Sequence, residues 1–289
     1  MFKVSAKELL LWIHDILEKD SDHESLYFLL DLAGGISKKD LNSFRLNDKQ
    51  EIFLNEDLNS LYSKWQEFII KKKPIQYICG NTYWRNHLIR LNEKVLIPRV
   101  ETEQIIDIFL NIFKSTSKHI LFADLGTGSG IIGISLSLHN SNWYGLATDI
   151  DSEVIKIARR NFCEISKANN LEFFCGNWLK PLFDFSGKID AIIANPPYIP
   201  TSVYERLPTS VKKYEPKLAL NGGKDGLFHL NEIIYESPKY LKKGGWIILE
   251  HHFDQGLKVK DLLISNGFVC VDNIYDLFGV RRFTIGKYN

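Results

Sequence analysis

The sequence predicts an α/β fold: a mostly parallel sheet with helices on both faces, preceded by a small helical domain. Three observations carry this. From residue 102 onward, short apolar runs alternate with amphipathic stretches of helical length, the pattern of strand–helix–strand units. Residues 1–73 show helical spacing and few strand signals. Near the end, the short DLFGVRR spacer joins two strand-like runs, which favours an antiparallel pair.

In chain order, Ser5 with Glu8 fits a capping box, and Leu9, Leu10, Ile13, Ile16 and Leu17 follow at helical spacing. A second helix, ESLYFLLDLAGG, ends at Gly34-Gly35, which suits a left-handed cap. A third runs from about Glu56 to Lys72 and is halted by Pro74. Residues 74–101 change character. TYW, HLIRL and KVLI read as short strands between turn residues, hence a β-hairpin linker. Seven strands follow over 102–289: 119–125, 143–150, 171–176, 188–195, 245–250, 268–276 and 281–288. Helices are expected at 102–114, 130–139, 152–166, 226–241 and 254–266. The domain reading is therefore 1–73 helical, 74–101 linker and 102–289 sheet domain.

The chain has 289 residues, 45% of them hydrophobic, ample for a large core. Lys and Arg number 36 against 35 Asp and Glu, so binding of nucleic acid by bulk charge is not expected. Cys79, Cys163, Cys175 and Cys270 are widely scattered, which fits neither a zinc site nor a disulfide framework and points to a reducing compartment. Acidic residues interrupt the N-terminal apolar run, and no stretch approaches the length of a membrane span. A cytoplasmic protein that binds neither membrane nor metal is the expectation.

After the first sheet strand comes DLGTGSGIIG, residues 124–133. Glycines at a strand-to-helix turn let a ligand approach the backbone, and Gly128-x-Gly130-x-x-Gly133 satisfies the dinucleotide fingerprint. Asp149, ending the next strand, suits ribose hydroxyls whether the ligand is a dinucleotide or S-adenosyl-L-methionine (SAM). A purely structural tight turn is the third reading. Asp124 breaks the tie: a carboxylate before the glycines suits a ligand with an ammonium group and repels a pyrophosphate. SAM carries such a group. The third strand ends at Asn177-Trp178, an amide and an aromatic suited to adenine, although Trp178 reads equally well as a core residue.

The fourth strand runs AIIA straight into Asn195-Pro196-Pro197-Tyr198. In a doubly wound sheet this tip lies beside the first strand and faces the glycine loop. A planar amide or exocyclic amine is a poor nucleophile because its lone pair is delocalised. The Asn195 side-chain oxygen and the Pro196 carbonyl suit its two N–H groups, and the two prolines hold these acceptors rigid. Tyr198 is placed to pack on the planar acceptor. The tetrapeptide reads as a methyl-acceptor clamp.

With these motifs, PIQYICG (74–80), VLIPRVETE (95–103), YEPKLALNGGKDGL (214–227), LEHHFDQG (249–256) and DLFGVRR (276–282) make the sequence resemble the HemK/PrmC family, the glutamine methyltransferases of peptide-chain release factors. The likeness spans nearly the whole chain. Val100 stands where Pro is usual, and His252 where Gly is frequent. The resemblance implies a Rossmann-like class I SAM-dependent methyltransferase sheet and, as acceptor, the glutamine side-chain amide nitrogen of the Gly-Gly-Gln loop in bacterial release factors. It implies SAM on Gly126, Thr127, Gly128, Ser129 and Gly130, with Asp149 at the ribose and Trp178 near the adenine. Asn195 would be shared between cofactor and acceptor, with Pro196, Pro197 and Tyr198 holding the glutamine. The helical domain would dock the release factor, and a monomer acting without a metal is expected.

Two other functions compete. An amino-methyltransferase acting on adenine or guanine in nucleic acid would use the same clamp, but needs a basic groove. Residues 1–73 hold eleven Lys and Arg against thirteen Asp and Glu, a poor arm for phosphates. A SAM-binding regulator without catalysis would have no use for Asn-Pro-Pro-Tyr.

Overall fold

The computed structural model describes residues 1–114 and 118–289. The chain divides into two compact units, Met1–Thr82 and Tyr83–Asn289.

The first unit is mainly helical. The Ser5 hydroxyl accepts from the Glu8 amide (3.1 Å) and starts the helix Ala6–Leu17. The helix His23–Leu29 widens into a final turn, Leu30–Gly34, and Gly35 closes it in the left-handed conformation, φ 73°. Helices Lys38–Leu46, Leu58–Lys71 and Ile75–Cys79 complete the unit. Leu9, Leu26, Leu29, Leu61 and Trp65 share its buried core. Two strands were not foreseen: β1 (Phe2–Ser5) and β2 (Glu51–Leu54) pair antiparallel, Phe2 opposite Leu54. Four-residue strands separated by some forty-five residues leave no long periodic signal, and only the alternate burial of Ile52 and Leu54 marks β2.

β3 (Asn81–Trp84) and β4 (His87–Arg90) form a hairpin. The run KVLI does not add a strand to it. Val95 and Ile97 are buried, but the Val95 amide goes to the Asn92 carbonyl (3.0 Å) in a turn, so burial alternates without a ladder.

The large sheet consists of β5 (Ile120–Leu125), β6 (Trp143–Asp149), β7 (Leu171–Cys175), β8 (Ile189–Ala194), β9 (Leu241–Glu250), β10 (Phe268–Tyr275) and β11 (Arg281–Tyr288). Its order is β10-β11-β9-β8-β5-β6-β7. β5 to β9 run parallel, and β11 is antiparallel to both β9 and β10. The seven expected strands are all present, with the last pair antiparallel. β9 begins earlier than expected because Leu241 already pairs with Ile189, ahead of a register shift. Along β8, Ala191 and Ile193 face one core and Ile192 and Ala194 the other, all fully buried. A strand covered on both faces has to read as an unbroken apolar run. Helices Gln104–Phe113, Ile131–His139, Ser152–Ile165, Phe228–Tyr240 and Gly256–Ser265 supply the covering layers.

Both departures from the family pattern fit without strain. Val100 is 65% exposed at the start of a short turn of helix. His252 does not need a left-handed backbone; its amide donates to Gln255 Oε1 (2.9 Å) and its ring stacks beside Phe253.

Candidate active site

β5 and β8 are neighbours, while β6 and β7 extend from the other side of β5. Where the winding reverses in this way, a crevice opens at the carboxyl ends of the strands. A cleft of about 260 Å³ lies there. Its wall holds Gly126 and Gly128 after β5, Asp149 after β6, Asn177 and Trp178 after β7, and Asn195 and Pro197 after β8. Seven of the expected residues are thus brought together. Asp124, Thr127, Ser129, Gly130, Pro196 and Tyr198 stand behind that wall rather than in it.

The glycine loop is closed by its own carboxylates. Gly126, Gly128 and Gly130 all have positive φ, which L side chains rarely adopt. Asp124 Oδ2 accepts from the Thr127 hydroxyl (2.6 Å) and the Gly133 amide (3.0 Å). Asp149 Oδ2 accepts from the Gly128 amide (3.1 Å), and the Gly130 amide goes to the Thr127 carbonyl (2.9 Å). A pyrophosphate needs such amides free and would meet two carboxylates instead. Asp124 Oδ1 is buried with no partner among the described residues, and burial pushes this carboxyl up to about 6, against the pull of Thr127 and Gly133. A cation nearby would relieve that cost. Burial likewise raises Asp149.

Trp178 has a left-handed backbone, φ 47°. Its indole lies so close over Gly126 that a Cβ there would sit 2.9 Å from the ring. Trp178 Nε1 donates to Glu232 Oε2 (3.3 Å), and the ring meets His229 edge-on. The indole is therefore half wall and half core, the two readings the sequence left open.

The Asn195–Tyr198 tip is held from several sides. Asn195 Nδ2 donates to Thr102 Oγ1 (3.1 Å). The Tyr198 hydroxyl donates to Glu250 Oε1 (3.0 Å); burial and that carboxylate raise its pKa steeply. Gln255 Nε2 donates to the Tyr198 carbonyl (2.9 Å), and the Ile199 amide to the Leu220 carbonyl (2.9 Å). Tyr198 thus supports the tip, whereas Pro197 faces the cleft. Buried Glu215 takes both of its oxygens to Arg99 Nη2 (2.7 and 2.8 Å), which ties the IPR block to the YEP block.

Sequence reasoning assigned no role to Val95, Leu96, Pro216, Leu218, Ala219 or His229, all of which line the cleft. The first five lie in blocks that carried the family resemblance, which was their signal. His229 carried none. Asn161 was missed as well: its buried amide donates to the Ser129 carbonyl (2.8 Å) and the Arg90 carbonyl (3.0 Å), joining the glycine loop to β4.

Residues 102–206 match the family model "Methyltransferase small domain". The chain is 36% identical over 280 residues to a release factor glutamine methyltransferase from Prochlorococcus marinus, covering 96% of each chain. It is 32% identical over 290 residues to one from Bacillus anthracis, covering 97% of this chain and 98% of the relative. In fold alone it is similar to the hMettl16 catalytic domain solved with the MAT2A 3'UTR hairpin 6, at a TM-score of 0.57, 16% identity and 94% coverage of each chain.

Proposed function

The chain belongs to the release factor glutamine methyltransferase family, and on that premise we propose that it methylates the side-chain amide nitrogen of the glutamine in the Gly-Gly-Gln loop of peptide-chain release factors, with SAM as donor. One observation carries the reading: an asparagine amide, anchored through its nitrogen, stands in the cleft wall beside the glycine loop.

The residues present fit SAM. Gly126 and Gly128 have backbones that leave no Cβ in the cleft wall, and Asp124 has an unpaired buried oxygen suited to a cation. In this reading Asp149 takes the ribose, Asn177 and Trp178 the adenine, and Thr127, Ser129 and Gly130 hold the loop in shape. Bound there, SAM supplies an electrophilic methyl group. Asn195 Oδ1 and the Pro196 carbonyl accept the two N–H bonds of the acceptor amide and direct its lone pair at the cleft. A strong base is unnecessary, since the nitrogen becomes acidic as the methyl group bonds. The protein acts in the cytoplasm as a monomer, where release factors are found.

Titration calorimetry is expected to show binding of SAM and of its demethylated product, and none of NAD. Labelled SAM with purified release factor and, separately, bulk RNA should then label only the protein, on the glutamine. Binding of NAD in place of SAM would sink the methyltransferase reading; label in the RNA would favour the nucleic-acid alternative.

Residues 1–73 are proposed to dock the release factor. They carry apolar helical faces but no excess of positive charge, which suits a protein partner better than phosphates. Removing them should leave SAM binding intact and reduce catalytic efficiency on intact release factor far more than on a short Gly-Gly-Gln peptide. Equal losses on the two substrates would reduce this segment to a support for the fold.

A further inference from the structure

The Asn195 amide has two ends of nearly equal size and opposite hydrogen-bonding sense. Only the oxygen end can accept from the acceptor nitrogen; the NH₂ end would set donor against donor. Which end faces the cleft is decided by the neighbours of the amide. Asn195 Nδ2 donates to Thr102 Oγ1 (3.1 Å), and Thr102 is 4% exposed. A hydroxyl can donate or accept towards Asn195, so this contact alone would tolerate either end. The choice falls to wherever the single Thr102 proton goes.

Glu250, the last residue of β9, is 1% exposed. Its Oε1 takes the Tyr198 hydroxyl (3.0 Å), while Oε2 is buried and accepts no hydrogen bond among the described residues. The Thr102 hydroxyl neighbours this carboxyl, and Oε2 is the oxygen left to take its hydrogen bond. Burial pushes Glu250 up to about 7; the Thr102 and Tyr198 hydroxyls and Arg282 pull it down, and Glu101 raises it. In its ionised form this carboxyl is an acceptor only, and it then draws both hydroxyl protons towards itself.

We propose that Thr102 and Glu250 are positioning residues that set the polarity of the clamp. The ionised Glu250 carboxylate accepts a hydrogen bond from the Thr102 hydroxyl, the Thr102 oxygen must then accept from Asn195 Nδ2, and Asn195 Oδ1 is left to receive the reacting nitrogen's N–H. The same carboxylate fixes the Tyr198 hydroxyl, so one buried acid orders both ends of the Asn195–Tyr198 tip. The proposal rests on the reading of Asn195 as the acceptor clamp.

The test measures single-turnover methyl transfer to purified release factor, and SAM affinity by calorimetry. Wild type is compared with Thr102→Val, Thr102→Ser, Asn195→Ala and the Val/Ala double variant. Thr102→Val removes the hydroxyl at constant volume and should slow transfer about tenfold or more, with SAM affinity unchanged within about twofold. Thr102→Ser should restore the rate to within about threefold of wild type, and in the Asn195→Ala background Thr102→Val should cost nothing further. A wild-type rate for Thr102→Val overturns the proposal. So does an equal cost in both backgrounds, which would mark a merely structural residue. If the Val variant fails to fold, Thr102→Ala takes its place in the same cycle. A wild-type protein that binds SAM but leaves release factor unmethylated overturns the substrate reading itself, and this proposal with it.

Discussion

Asn195→Ala is expected to lose methyl transfer by on the order of 100-fold or more while binding SAM nearly as well as the wild type, the size of effect seen when one preorganised polar contact to a reacting group is deleted. The backbone at this position is set independently of the side chain. β8 is buried on both faces, Pro196 and Pro197 stiffen the tip, and Gln255 and Leu220 hold the Tyr198 carbonyl and the Ile199 amide. Removing the amide should therefore leave the fold and the glycine loop in place. What disappears is the oxygen proposed to orient the acceptor nitrogen. Rapid-quench methylation assays, with SAM affinity measured in parallel, separate these effects. Near wild-type turnover would show that the tip does not act through Asn195. A parallel loss of SAM affinity would place the residue in donor binding instead.

The second large effect is expected for Gly226→Ala, a residue outside the cleft wall. Gly226 has φ +77°, and a Cβ there would lie 2.2 Å from the Tyr198 carbonyl oxygen and 2.4 Å from Gln255 Nε2. The first is main chain and cannot swing aside. The left-handed backbone costs about 1–2 kcal/mol for an alanine, and overpacking adds roughly 1–3 kcal/mol. Relief requires the 222–226 loop and the Asn195–Tyr198 tip to part, or the Gln255 bond to the tip to break. Transfer should fall at least as steeply as the tip moves, on the order of tenfold or more, with a lower melting temperature. Gly187→Ala is the matched control. Its φ is +68°, with nothing within 4 Å of the added Cβ. It should show the backbone cost in a thermal melt and keep wild-type transfer. If both variants transferred equally well, the packing of the 222–226 loop on the tip would have no bearing on the chemistry.

These contacts mark where reading the chain from its sequence succeeds and where it stops. β5 to β11, the glycine loop and the Asn195–Tyr198 tip were legible because each is a local signal: an apolar run of strand length, glycines where φ must be positive, prolines where a ladder must end. Asp124 was legible as the acid of the loop, but not the direction of its carboxylate. Pointing at Thr127 and Gly133, it holds the loop and leaves one oxygen unpaired below it. β1 and β2 were invisible because they are short and pair across some forty-five residues. Val95 and Leu96 look like a strand and serve as cleft wall, since alternate burial does not require a partner strand. Thr102 and Glu250 lie 148 positions apart in the numbering, at the start of a helix and the end of β9. No spacing rule joins them. By itself the sequence determined which residue types and backbone conformations stand at each strand end, because both are local. Only the tertiary structure decided which groups face one another across the sheet, because hydrogen-bond polarity and burial depend on neighbours that the packing of the whole unit brings together.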